Sequence, residues 1–188
     1  MSELGASSYF DELCRAMGYL SRLPNTVILG QGVGVPGTTM SQTFRDVPDE
    51  KRLEMPVAEE LQMGIAIGMS LVGYLPICIF PRWNFMLRAA DQLVNHLDRL
   101  PLYSGYRPKV IIRTAVPSKS PFDPGPQHDD DFSDVFEQMF RTVRVLRLET
   151  AEDVMAAYEF AVHNDVSVVA VEYTEKYRNA RKHEDTAK

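Results

Sequence analysis

Glu59 and Glu60 stand side by side near the start of a long apolar stretch, EMPVAEELQMGIAIGMSLVGY at residues 54–74. Carboxylates in the first turn of a helix are favoured by the helix dipole and by the free N–H groups there, and Pro56 suits a first helical turn. That accounts for one glutamate. Apolar residues follow on every face (Leu61, Met63, Ile65, Ile67, Met69, Leu71 and Val72), a pattern that predicts a buried helix and places at least one carboxylate in packed surroundings. Burial raises a carboxyl pKa, and a carboxyl group that exchanges its proton near neutral pH can serve as a general acid or base. Gly64 and Gly68, four residues apart, either open a groove for another backbone or helix or serve core packing.

Other candidates lie in two further segments. In PRWNF, residues 81–85, Trp83 and Phe85 offer flat surfaces on which a ring could stack, although aromatic residues at such a junction also fill cores. His128 closes a proline-rich loop and is followed by Asp129, Asp130 and Asp131. Consecutive residues seldom converge on one cation, so this run reads as a solvated acidic turn, while the histidine can act as acid, base or hydrogen-bond donor. GVGVPG at 32–37 matches a dinucleotide fingerprint in form. That motif needs a helix opening directly from its glycines, and the polar run after Pro36 has weak helical periodicity, so a glycine loop is the better reading.

The elements that position these residues follow from periodicity. Helices are predicted over 7–21, from the proline-glutamate start to Val72, and over 85–100, 132–140 and 151–163. Strands are predicted at TVILG (26–30), RLEM (52–55), LPICIF (75–80), KVIIRT (109–114), VRVLRL (143–148) and SVVAVEY (167–173). Strands alternating with helices imply crossover connections, hence a single three-layer α/β domain over 1–173 whose mainly parallel sheet carries helices on both faces. A charged tail, 174–188, reads as a solvated helix or frayed end. Ligands of such sheets sit beyond the carboxyl ends of the strands, so the loops after Leu29, Phe80 and Thr114 are where a site is expected.

Composition narrows the function. The chain of 188 residues has a formal net charge of −6 and is 45% hydrophobic and 24% charged, which argues against nucleic-acid binding and for small molecules or protein partners. No apolar run reaches the roughly 18 residues of a membrane span, and the acidic, polar N-terminus does not read as a secretory signal, so a cytoplasmic location is expected. Cys14 and Cys78 form no close pair and read as inert thiols.

RLEMPVAEELQMGIAIGMSLVGYLPICIF, then WNF, AADQLVN, VIIRT and QH, occur in an order and spacing that resemble the pyrimidine-binding domain of 2-oxoacid dehydrogenase E1 beta subunits, thiamine diphosphate enzymes related to transketolase. The resemblance runs from about Thr26 to Phe132 and continues more faintly to Tyr173. It implies a thiamine diphosphate-binding fold of pyrimidine-binding type. Glu59 falls on the family's catalytic glutamate, which hydrogen-bonds N1′ of the aminopyrimidine and shuttles a proton to favour its imino tautomer. Phe85 matches the aromatic residue packed on that ring, and Trp83 and Gln31 lie beside it in the implied cofactor site. His128 matches a histidine on the substrate side, and Asp91, Gln92 and Asn95 match a structural or interfacial signature.

The departures are equally specific. Gln31 stands where the family carries an acidic residue linked to a proton relay between paired sites, and QHDDD replaces the usual segment after the histidine. The diphosphate and Mg2+ are held in the family by a Gly-Asp-Gly motif, which does not occur in these 188 residues, and the family's beta subunits continue beyond the point where this sequence ends. The resemblance therefore implies a separate diphosphate-binding, E1-alpha-like chain, two copies of each subunit, and decarboxylation or carboligation of a 2-oxo acid or ketose. Transketolase-like ketol transfer and a non-catalytic partner-binding remnant are the alternatives.

Overall fold

In the computed structural model, which describes residues 7–35, 38–119 and 123–179, six parallel strands form one sheet in the order β2-β1-β3-β4-β6-β5. The strands are β1 (Thr26–Gly30), β2 (Arg52–Glu54), β3 (Leu75–Ile79), β4 (Ile111–Val116), β5 (Arg144–Arg147) and β6 (Val168–Tyr173). Every residue of β3 is buried, as expected of a parallel strand covered on both faces and written as a continuous apolar run.

Each face has its own core. Helices α1 (Tyr9–Ser21) and α6 (Ala151–His163) cover one side, where Leu13, Met17 and Tyr158 meet Ile28, Ile77 and Ala170. Both helices start on side-chain caps: Ser8 accepts from the Asp11 amide, and Thr150 with Asp153 forms a reciprocal capping box. The opposite side carries α2 (Glu59–Leu71), the 83–103 segment and α5 (Ser133–Met139), with Met63, Trp83, Leu93 and Phe136 packed on Leu29, Cys78 and Ile112. The three-layer α/β fold expected from the sequence is the fold found.

Two elements differ from expectation. The helix predicted after Pro56 begins three residues later, at Glu59, and only one of its sides is buried, through Glu59, Gln62, Met63, Ala66 and Ile67. Leu61, Gly68, Leu71 and Val72 are exposed, because nothing among the described residues covers that side. The helix predicted over 85–100 starts at Trp83 and is broken into α3 (Trp83–Met86), a 3-10 turn at Leu87–Ala89, a π-helical stretch at Gln92–Leu97 and α4 (Leu100–Tyr103). Pro101, at the start of α4, lacks the N–H that a continuous helix would need.

The segment beyond Tyr173 is partly packed. Thr174–Asn179 forms a 3-10 turn that buries Tyr177 against Tyr9 and Phe10, and 180–188 lies outside the described residues.

Candidate active site

The groups singled out in the sequence gather beyond the carboxyl ends of the strands, where four different connections meet. Gln31 follows β1, Glu59 follows β2, the 81–85 segment follows β3, and His128 belongs to the connection after β4. Parallel strands turn all these connections to the same edge of the sheet, so residues far apart in sequence share one region.

Glu59 is the first residue of α2 and only 3% exposed, whereas Glu60 beside it faces solvent. Ala58, the residue before the helix, offers no side-chain cap, so Glu59 is the nearest acid to a helix start without one. Its Oε1 lies 3.5 Å from the Gln31 side-chain amide, at the long limit of a hydrogen bond. Its Oε2 is buried without any hydrogen-bond partner and lies 3.4 Å from Nε of Arg88. The Arg88 side chain is itself 78% exposed, so this contact is an open ion pair in front of a buried oxygen. Arg88 is the residue that sequence reasoning missed; its signal was a cation one helical turn after Phe85.

An open depression of about 610 Å3 lies over Glu59, walled by Val57, Leu61, Gly64, Ile65, Arg88 and Gln92. A Cβ added at Gly64 would meet only Gln92 Oε1, at 3.8 Å, and one added at Gly68 would meet nothing within 4 Å. The two glycines therefore leave room beside α2 and do not serve a tight packing contact within the described residues. Of the DQ and N signature, Gln92 lines this depression, while Asp91 accepts from Asn95 at 2.7 Å and lies 3.3 Å from His96 Nε2.

A second group forms around Phe85 and His128. Phe85 is half-buried and its ring centroid lies 5.2 Å from that of His128, whose Nδ1 is buried with no partner. Asn84 donates to Asp130 at 3.2 Å and so ties this turn to the acidic run after the histidine. Asp129 pairs with Lys119 at 2.9 Å; among the described residues no group of His, Cys, Asp and Glu side chains could hold a metal ion. Of the two readings of Trp83, stacking surface or core, the structure shows it in the core, with its Nε1 buried and unpartnered. Its ring is fully buried and stacked on Phe136 at 5.2 Å, in the core beneath the site.

The glycine loop after β1 also has an occupant. Glu54, the last residue of β2, accepts from the Gly32 and Gly34 amides, each at 2.7 Å. Burial alone would raise its carboxyl pKa; the backbone N–H groups of Gly32, Gly34, Val35 and Val33 outweigh that and hold it below its ordinary value. No helix opens directly from this loop, since a 3-10 turn at Met40–Phe44 follows, and Gly37 of the motif lies outside the described residues. Both requirements of a dinucleotide site, free N–H groups and a helix start, are unmet in the described part of the loop.

Residues 15–178 match the family model described as transketolase, pyrimidine binding domain. The chain belongs to this family. Among sequence relatives, the mitochondrial pyruvate dehydrogenase E1 component subunit beta of Caenorhabditis elegans is 30% identical over 124 residues, covering 66% of this chain and 35% of that protein. The subunit beta of Chaetosphaeridium globosum is 26% identical over 166 residues, 84% of this chain and 49% of its own length. The chain thus spans between about a third and a half of these relatives. Among solved structures, a split gene transketolase described as an inactive beta4 tetramer superposes with TM-score 0.69 over 90% of this chain and 52% of that one, at 18% identity. The transketolase of Campylobacter jejuni gives 0.67 over 87% of this chain and 25% of its own, at 13% identity. The chain is therefore an E1 beta-like, transketolase-like pyrimidine-binding domain of a thiamine diphosphate-dependent family, as the sequence motifs implied.

Proposed function

We propose that this chain is the pyrimidine-binding subunit of a split thiamine diphosphate enzyme that decarboxylates or ligates a 2-oxo acid, and that Glu59 is its cofactor-activating acid. The observation that carries this reading is the buried, unpartnered Oε2 of Glu59 at the lip of an open depression. Burying a polar atom without a partner costs about 1–3 kcal/mol, so its presence here fits a carboxyl group whose partner arrives with a ligand.

The donor set fits the pyrimidine half of the cofactor. Glu59 presents one oxygen for a ring nitrogen, and Phe85 offers a half-buried ring on which a flat heterocycle can rest. When bound, the cofactor supplies the carbanion chemistry that cleaves or joins bonds at a carbonyl carbon. The protein's part is to hold a proton at Glu59 Oε2 and exchange it with the ring, with Gln31 steadying Oε1. His128, whose ring meets that of Phe85, gives a proton to substrate-derived oxygen in this reading. The diphosphate and Mg2+ fall to an E1-alpha-like partner, in two copies of each chain. The uncovered apolar side of α2 supports such a partner, with Leu61 and Ile65 beside the glycines where another helix can approach.

Calorimetric titration of thiamine diphosphate with magnesium tests the shared site. Binding is expected when this chain is mixed with a diphosphate-binding chain carrying Gly-Asp-Gly, and not to this chain alone; tight binding to the isolated chain overturns the partner. In the mixture, Glu59→Gln is expected to lower cofactor-dependent turnover by about 10²–10⁴-fold, the range of a lost general acid, and unchanged turnover overturns the role of Glu59.

A further inference from the structure

The loop after β1 is pinned at two points, and Gln31 lies between them. At its root, Gly30 approaches β3 so closely that an added Cβ would stand 2.6 Å from the Ile79 carbonyl oxygen, and the Gly30 carbonyl accepts from Met55 at 2.9 Å. At its crown, the carboxylate of Glu54 is grasped by the Gly32 and Gly34 amides, both at 2.7 Å, with Val33 and Val35 adding their N–H groups. Gly32 has φ +71°, a left-handed turn that brings successive N–H groups to one side, the geometry that makes a backbone nest for an anion. The parallel register that pairs Gly30 with Glu54 sets the carboxylate beside the loop that emerges from β1.

Here the anion is built into the chain. Hydrogen bonds from neutral N–H groups to a carboxylate are stronger than neutral pairs, so a loop that holds one loses much of its freedom. The side chain at the pinned root reaches the one buried acid at the edge of the site: Gln31 Nε2 lies 3.5 Å from Glu59 Oε1. The other contact on the Glu59 carboxylate, 3.4 Å from Oε2, comes from Arg88, which is largely exposed.

We infer that Glu54 is a positioning residue for Glu59: by occupying the backbone nest of Gly32–Val35 it fixes the loop in which Gln31 faces the Glu59 carboxylate. The inference rests on the reading of Glu59 as the cofactor-activating acid. Glu54 touches no reacting group and acts only through the loop. Since Glu54 is exposed, its replacement leaves the core intact.

The test begins on the cofactor-free chain, by hydrogen exchange of the 32–35 amides and by the 15N-resolved side-chain amide of Gln31. In Glu54→Ala, protection of those amides is expected to fall at least tenfold and the Gln31 side-chain signals to move to their solvated positions; Glu54→Gln, with one carbonyl oxygen left to accept, is expected to lie between, and added acetate to restore protection in Glu54→Ala. In the assembled enzyme, Glu54→Ala and Gln31→Ala are each expected to lower kcat about tenfold, the rate equivalent of one hydrogen bond, with substrate KM unchanged and no further loss in the double variant. Retained protection in Glu54→Ala, or lost protection with the Gln31 signals unmoved, overturns the inference. If Glu59→Gln leaves turnover unchanged, the functional reading fails instead, and the exchange and Gln31 data still decide whether Glu54 orders the loop.

Discussion

Glu172 and Glu59 are buried carboxylates on opposite faces of the same sheet, and they are treated in opposite ways. Glu172, at the end of β6, is fully enclosed and its oxygens are saturated. Arg113 donates to both, from Nε at 2.5 Å and from the terminal nitrogen Nη2 at 2.8 Å; Tyr158 adds a bond at 3.0 Å, and the Tyr177 hydroxyl a further one. The remaining guanidinium nitrogen reaches Thr43 at 3.1 Å, and Phe44 lies under the cation at 5.5 Å. Glu59 is nearly as buried, yet it has one long contact on each oxygen and no good hydrogen bond on Oε2. A carboxylate that only holds a fold together is given every partner that geometry allows. One that, in the proposed function, accepts a ligand is left short.

The comparison can be broken most sharply at Glu172. Replacing it with leucine leaves Arg113 charged, enclosed and without its counter-ion, and is expected to cost about 3–5 kcal/mol in urea denaturation. A loss below about 1 kcal/mol would mean that the pair is not the anchor of its face. Alkaline pH attacks the same cluster. Burial first, and the Glu172 charge second, raise the hydroxyl pKa values of Tyr158 and Tyr177 well above the ordinary value near 10. Raised values mean that the native state keeps protons which the unfolded chain has released. The stabilisation is therefore complete below about pH 10 and is lost as pH rises towards the native values, by about 1.4 kcal/mol per pH unit for each tyrosine. Tyr158→Phe is expected to flatten that alkaline fall by one tyrosine's share, and an unchanged slope would remove Tyr158 from the account.

On the other face the expected effects on stability are small and of opposite sign. Glu59→Gln, which sharply lowers turnover in the proposed reading, is expected to leave the isolated chain as stable or up to about 1 kcal/mol more stable, because it removes a poorly paired buried carboxyl group. A loss above about 2 kcal/mol would put Glu59 in the same class as Glu172. Gly68→Ala has open space and a better helix former, so the isolated chain is expected to gain about 0.5–1 kcal/mol in thermal unfolding while association with the partner weakens. Unchanged association would show that no partner approaches α2 at that point.

The same contrast explains what could be read from the sequence. β1 and α6 were found with the bounds their patterns gave, since a buried parallel strand and a helix framed by Thr150 and His163 are local signals. Glu59 and Phe85 were singled out through ordered motifs; Glu59 has one unpartnered buried oxygen, and Phe85 meets the ring of His128, whose Nδ1 is also unpartnered. The exposed side of α2 was misjudged because an apolar residue left open looks in one sequence like an apolar residue held for the core: Leu61 and Val72 carry nothing that separates the two. For Trp83 the sequence left stacking surface and core open for the converse reason, as its stacking on Phe136 joins residues more than fifty positions apart. The grip of Glu54 on the glycine loop was hidden because it depends on a strand pairing, Gly30 with Glu54, that no local pattern announces.

The closing contacts of the first face come from the two ends of the described chain. The Tyr9 hydroxyl donates to the Leu148 carbonyl at 2.8 Å and accepts from the Tyr173 amide at 3.4 Å, while its ring meets that of Tyr177 at 6.1 Å. During synthesis α1, with Leu13 and Met17 to cover, is made long before Tyr173 and Tyr177. Arg113 likewise is made well before Glu172 and Tyr177, which neutralise and enclose it, so the first face stays open during synthesis for an interval in which a chaperone can reach the nascent chain.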